Sequence, residues 1–150
     1  MRYLLDTNIF LYFATDVELL DNNVRAILED AENTFCLSVE SLKELVQFFR
    51  RQKNRPKQWK SELDLLEAVE KDFGINILPL KKEHLHTYAK LELNLAQDHK
   101  DPSDHIIICQ AITDKLTLIS SDNKFAFYQK QHLKFIFNSK KINPLTSYLG

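Results

Sequence analysis

Apolar residues in this chain fall into short unbroken runs separated by longer amphipathic stretches. Residues 2–5, 34–37, 75–78 and 116–119 are runs of the length and composition of buried strands, and residues 133–137 supply a short fifth. Between them the apolar period lengthens to that of a helix. Residues 9–14 form a first helix or turn. Leu20, Val24, Ile27, Leu28 and Ala31 then recur on one face. Ser38 caps a helix running to Arg51, with Leu42, Leu45, Val46 and Phe49 inward, Ser41, Glu44 and Phe48 on a strip beside them, and Glu40 turned towards water. Trp59, Leu63, Leu66, Val69 and Phe73 mark a further helix, ended by Gly74 at the left-handed position past its last turn. Leu85, Tyr88, Ala89, Leu93 and Ala96 predict another, up to about Gln97, and from Ser139 the tail reads as irregular.

One helix departs from the amphipathic pattern. Asp101 is a natural N-cap and Pro102 suits the first helical position, where a missing N–H costs nothing. The body that follows, residues 106–112, is apolar on nearly every face and is therefore expected to be buried. Asp104 lies one turn below Ile107 and Ile108, so its carboxylate points along a buried stripe. Such a charge is costly unless paired or bound to a cation. Its structural reading is a first-turn acid that suits the helix dipole.

Strands alternating with helices predict an α/β fold with a mostly parallel sheet of four or five strands. The 150 residues fit one domain, residues 1–150, with its core over about 2–138. No apolar run approaches the ~20 residues that span a membrane, and Asp6 comes too early for a signal peptide, so a cytoplasmic protein is expected. Cys36 and Cys109 sit in separate apolar runs and read as reduced core thiols without zinc spacing. With Gly74 and Gly150 the only glycines, a phosphate-cradling P-loop and a dinucleotide fingerprint are both excluded. The net charge of −1 means that any nucleic-acid contact must come from a local patch. The stretch 50–60 is such a patch, with Arg50, Arg51, Lys53 and Arg55 beside Trp59, although helical spacing assigns Trp59 to the core. His99 and Lys100 are further candidates to face a polyanion; both also fit an ordinary polar loop.

Ligands of open parallel sheets bind outside the carboxyl ends of the strands. Asp6 and Asp122 each follow such an end, Ser38 starts the Glu44 helix after another, and Asp104 opens the helix preceding the Asp122 strand. Acids gathered there demand a cation, because mutual repulsion otherwise raises their pKa values. No Lys or Arg adjoins Asp6, Asp104 or Asp122 in sequence, and no Cys or His cluster accompanies them. An oxygen-rich site of this kind suits Mg²⁺ or Mn²⁺, ions that lower the pKa of bound water and stabilise phosphoryl charge.

These residues resemble a known family. Leu5-Asp6-Thr7-Asn8, the Ser38/Ser41/Glu44 spacing, Asp101-Pro102-Ser103-Asp104 leading to Gln110-Ala111, and Ser121-Asp122 after a strand are similar to the motifs of PIN domains, and within them of VapC-type toxin ribonucleases. The resemblance implies a three-layer α/β/α sandwich and a Mg²⁺- or Mn²⁺-dependent endoribonuclease in which Asp6, Glu44, Asp104 and Asp122 are the metal-binding catalytic acids. Asn8 matches a polar orienting position and Asp101 a capping or supporting acid, with Thr7, Ser41 and Ser121 as further supports. It also implies an RNA substrate such as tRNA, a cognate antitoxin and a homodimer. The chain departs from the common Asp-Pro-Phe-Asp-Arg pattern at Ser103 and His105, and His105 is expected to pack or hydrogen-bond rather than catalyse. Two other readings remain open at this level: a PIN-like module that binds RNA or protein without cutting, and a haloacid-dehalogenase-like phosphatase with Asp6 as nucleophile. The latter wants an acid where Asn8 stands.

Overall fold

In a computed structural model of the chain, residues 1–52 and 55–140 are described. Lys53 and the tail from residue 141 onward lie outside the described residues. Five strands, β1 (Arg2–Leu5), β2 (Thr34–Ser38), β3 (Asn76–Leu78), β4 (Thr117–Ser120) and β5 (Lys134–Phe137), form one sheet in the order β3-β2-β1-β4-β5. Every neighbouring pair is parallel. The helices are α1 (Thr7–Thr15), α2 (Asn22–Glu29), α3 (Val39–Arg51), α4 (Glu62–Lys71), α5 (Lys82–Lys90) and α6 (Pro102–Asp114), with 3-10 segments at Val17–Leu19 and Asn123–Gln131.

Strand alternation builds the layers. Tyr3, Leu5, Leu37 and Ile119 face one core, packed with residues of α1 to α4, while Leu4, Cys36, Leu78 and Leu118 face the other, packed with Ile107, Ile108 and Ala111 of α6. Both faces are covered, which explains why these strands read as continuous apolar runs. The result is the expected α/β/α sandwich. Strand order reverses at β1, with β2 on one side and β4 on the other, so a crevice opens beyond the carboxyl ends of β1 and β4.

Four local expectations are corrected. The helix expected to reach Gln97 ends at Lys90, because side chains capture the backbone beyond it. The Glu92 N–H donates to Gln131 Oε1 (2.9 Å) and the Asn94 N–H to the Tyr128 hydroxyl (3.1 Å), bonds that a continued helix would forgo. Trp59 precedes α4 rather than belonging to it; Ser61 caps that helix, and Trp59 is buried against Phe10 with ring centroids 6.5 Å apart. Gly74 takes φ +62°, two residues past the α4 C-cap at Asp72, one residue later than expected. Residues 123–131, unassigned from the pattern, form a 3-10 segment whose Phe125 and Tyr128 are fully buried, the three-residue spacing that such a helix places on one side.

Cys36 and Cys109 are free and buried, and burial pushes the Cys109 thiol up to about 12. Among the described residues no helix is long and apolar enough to cross a membrane. Burial separates residues that matter for stability from those that do not. Ile108→Ala, at a position with no exposure, is expected to cost about 2–5 kcal/mol. Leu63→Ala, on the exposed side of α4, should stay within about 0.5 kcal/mol. Urea unfolding of both variants measures the difference.

Candidate active site

The aspartates of the crevice are delivered by the ends of elements, and Glu44 by the middle of a helix. Asp6 directly follows β1 and caps α1: its backbone N–H donates to the Ile119 carbonyl (2.9 Å) and its Oδ1 accepts the Thr7 N–H (2.9 Å). Asp122 follows β4 and caps the 3-10 segment through the Lys124 N–H (2.9 Å). Asp101 caps α6 through the Ser103 N–H (2.9 Å), which places Asp104 in the first turn of that helix. Ser38 caps α3, and Glu44 follows on the face beside the core. Asp6, Thr7, Asn8, Glu44, Asp101, Asp104, Ser121 and Asp122 thereby line one cleft of about 440 Å³, together with Asn123 and Phe137.

Side-chain hydroxyls hold two of the acids, Asp6 and Glu44, in place. The Ser120 hydroxyl donates to Asp6 Oδ2 (2.7 Å). The Thr7 hydroxyl donates to Glu44 Oε1 (2.7 Å) and lies 2.9 Å from Ser41 Oγ, so Ser41 supports the site from beneath without lining the cleft. Burial and mutual repulsion dominate the electrostatics. Burial pushes Asp6 up to about 7, with the Asp104 charge adding to it and the Ser120 and Thr7 bonds opposing it. Burial likewise pushes Glu44 up to about 7, against the Thr7 bond and with the charges of Asp6 and Asp101. Asp104 rises furthest, to about 8, through burial and the charges of Asp101, Glu44 and Asp122, with Lys124 opposing.

Several contacts escaped the sequence. His99 does not face outward: it is 3% exposed, with Nε2 3.0 Å from Asp104 Oδ2. An imidazole thus does accompany the acids, brought in by the turn before α6. Lys124, two residues after Asp122, supplies a positive field at Asp104 that no adjacent residue announced. Glu40 is not turned to water; only 19% of its side chain is exposed, and it accepts the Ser103 hydroxyl (3.0 Å) and pairs with Lys43 (2.8 Å). Ser120 Oγ accepts the Asp122 N–H (3.0 Å) besides donating to Asp6, while Ser121 Oγ accepts from Asn138 Nδ2 (2.8 Å). His105 is buried and donates through Nε2 to the His99 carbonyl (2.9 Å). Arg50, Arg51, Arg55 and Lys100 are exposed and line no part of the cleft. The two arginines ending α3 lie about 9–11 Å along the helix from Glu44 at 1.5 Å per residue.

The model of the PIN domain matches residues 3–131. The chain belongs to the PIN domain family. No curated protein matches it, but solved structures share its fold. Those of VapBC2 from Rickettsia felis bound to a promoter DNA fragment (22% identity, TM-score 0.66) and of VapBC-1 from nontypeable Haemophilus influenzae (22%, 0.66) are similar over 91% and 93% of this chain and 98% and 100% of theirs. A member of the VapBC family of toxin–antitoxin systems, VapBC-5 from Mycobacterium tuberculosis, is 21% identical with a TM-score of 0.61, over 91% of this chain and 98% of that one.

The donor set of this PIN domain fits a hard divalent cation. Carboxylates predominate, and ligand atoms of Asp104, Asp122 and His99 lie within 4.8 Å of one another. Protonation and cation binding therefore compete. Because Asp104 holds its proton up to about 8 when folded and releases it near 4 when unfolded, the folded state binds more protons between those values. The Asp104 contribution to stability is full below about 4 and falls as pH rises towards 8. In chelator, Asp104→Asn is expected to melt roughly 2–4 °C above the unaltered protein at pH 8 and to show little or no gain at pH 5. Melting curves at the two pH values measure this.

Proposed function

We propose that this PIN domain is a Mg²⁺- or Mn²⁺-dependent endoribonuclease and the toxin of a toxin–antitoxin pair. The observation that carries the reading is the cleft itself, which Asp6, Glu44, Asp104 and Asp122 line together, Asp6 buried and Glu44 and Asp104 half-buried, so that burial and like charge raise the pKa values of those three. Asp6 and Asp104 are assigned the principal cation, with Glu44 and Asp122 completing the site directly or through water. A bound divalent cation supplies a water of lowered pKa and charge stabilisation at a phosphoryl oxygen. The chain's own groups do the placing. Ser120 and the Thr7 N–H fix both oxygens of Asp6, the Thr7 hydroxyl fixes Glu44, and Lys124 contributes positive charge beside Asp104. Asn8 orients groups at the mouth of the cleft and Asp101 keeps α6 aligned beneath Asp104.

An antitoxin partner is supported by the similar fold of VapBC-5, a member of a family of toxin–antitoxin systems. Homodimerisation, a structured RNA such as tRNA as substrate, backbone contacts from Arg50, Arg51, Lys53, Arg55 and Lys100, and a cytoplasmic setting belong to the same reading. Purified protein with Mn²⁺ is expected to cleave total cellular RNA, leaving 5′-phosphate and 3′-hydroxyl ends, and chelation should abolish the activity. Asp104→Asn, purified identically, should be at least about 100-fold slower, the equivalent of ~2.7 kcal/mol of transition-state stabilisation. Equal cleavage by both preparations would discard the assigned site. RNA binding without cleavage by either would favour the non-catalytic module.

A further inference from the structure

His99 stands where a nitrogen ligand could complete the cation site, yet its hydrogen bonding assigns it a different task. The Tyr128 side chain is fully buried, and its hydroxyl oxygen accepts the Asn94 N–H (3.1 Å). The hydroxyl proton of this solvent-inaccessible side chain then needs an acceptor, and His99 Nδ1 lies 2.9 Å away. Accepting that proton leaves the imidazole hydrogen on Nε2, the nitrogen 3.0 Å from Asp104 Oδ2. In this tautomer Nε2 has no lone pair to offer a cation. The opposite tautomer would leave the Tyr128 proton buried without a partner.

The ring has little freedom to do otherwise. It packs against His105, Phe125 and Tyr128 at centroid distances of 5.0, 5.2 and 5.6 Å, and the His105 Nε2–H holds its backbone carbonyl. Asp104 Oδ2 is thereby engaged by a fixed donor, while its carboxylate lines the cleft. We propose that His99 is a positioning residue and not a metal ligand: the Tyr128–His99 pair presents a fixed N–H that orients Asp104 for the cation. The inference rests on the reading above that Asp104 holds a divalent ion.

Mn²⁺ is the probe, followed by its magnetic resonance signal. In the unaltered protein, bound Mn²⁺ is expected to show no coupling to a directly coordinated imidazole nitrogen. His99→Leu should weaken Mn²⁺ binding about 10- to 100-fold, the usual effect of removing a group that orients a ligand. His99→Gln, whose amide nitrogen can take the place of Nε2, should recover most of that loss. Tyr128→Phe removes the proton that fixes the tautomer, and coordinated-nitrogen coupling is expected to appear in that variant. Coordinated nitrogen in the unaltered protein overturns the inference, as does equal Mn²⁺ affinity in all three His99 forms, or a Gln variant as weak as the Leu variant. Should His99→Leu fail to fold in a melting control, the spectra of the unaltered protein and of Tyr128→Phe decide. Absence of any Mn²⁺ binding by the unaltered protein overturns both this inference and the cation reading beneath it, whereas the other outcomes leave that reading standing.

Discussion

Like charges confined to a poorly solvated crevice are the constraint around which this structure is arranged. Asp6, Glu44 and Asp104 repel one another, and burial removes the water that would otherwise screen them. The fold answers partly with donors: Ser120 and the Thr7 N–H on Asp6, the Thr7 hydroxyl on Glu44, and His99 on Asp104. It answers also with geometry. The amino ends of α1, α3 and α6 all open towards the same edge of the sheet, so their dipoles favour negative charge there. These contributions reduce the repulsion without cancelling it, and the pKa values of all three acids stay raised. What remains is a site more stable when a cation or protons occupy it.

The parallel sheet makes this concentration possible. Because every strand runs the same way, every strand-to-helix turn emerges at one edge, and a residue placed first after a strand arrives at the crevice. Asp6 and Asp122 also serve as N-caps, so the carboxylates that line the cleft start the helical segments beside it. Removing either acid removes a cap as well as a charge. Asp104 differs in this respect, since Asp101 carries the capping of α6. Like Glu44, which lies inside a helix capped by Ser38, it can be altered without removing a cap.

The strands, the buried helix and the edge at which the acids gather were legible because they depend on local periodicity and on one topological rule. What stayed hidden depends on contacts between distant segments. His99 and Asp104 are five residues apart, but their bond requires the tight turn before α6 and the packing of Phe125 and Tyr128 from the later 3-10 segment. The early end of α5 has the same origin: Gln131 and Tyr128 capture backbone donors that helical periodicity alone would keep within the helix. Glu40 was misread for a related reason. Its position on the helix wheel is outward relative to the α3 core, but Ser103 approaches it from α6. The 3-10 segment has a three-residue period too short-lived to stand out in a pattern read for 3.6.

The acidity of the cleft sets a condition on the proposed activity. A phosphodiester approaching four carboxylates meets repulsion before it meets chemistry, and a net charge of −1 gives the whole molecule no compensating attraction. A divalent cation reverses the sign locally and only there. Attraction along the rest of a polyanion must come from groups outside the cleft, and Arg50, Arg51 and Arg55 are exposed at and just beyond the far end of the Glu44 helix. Lys124 occupies the space between these two regimes, close enough to act on Asp104 and half-buried beside it. On the proposed reading, binding and cleavage therefore rest on different side chains. Salt would weaken the first through the exposed cations, while the second would follow occupancy of the carboxylates.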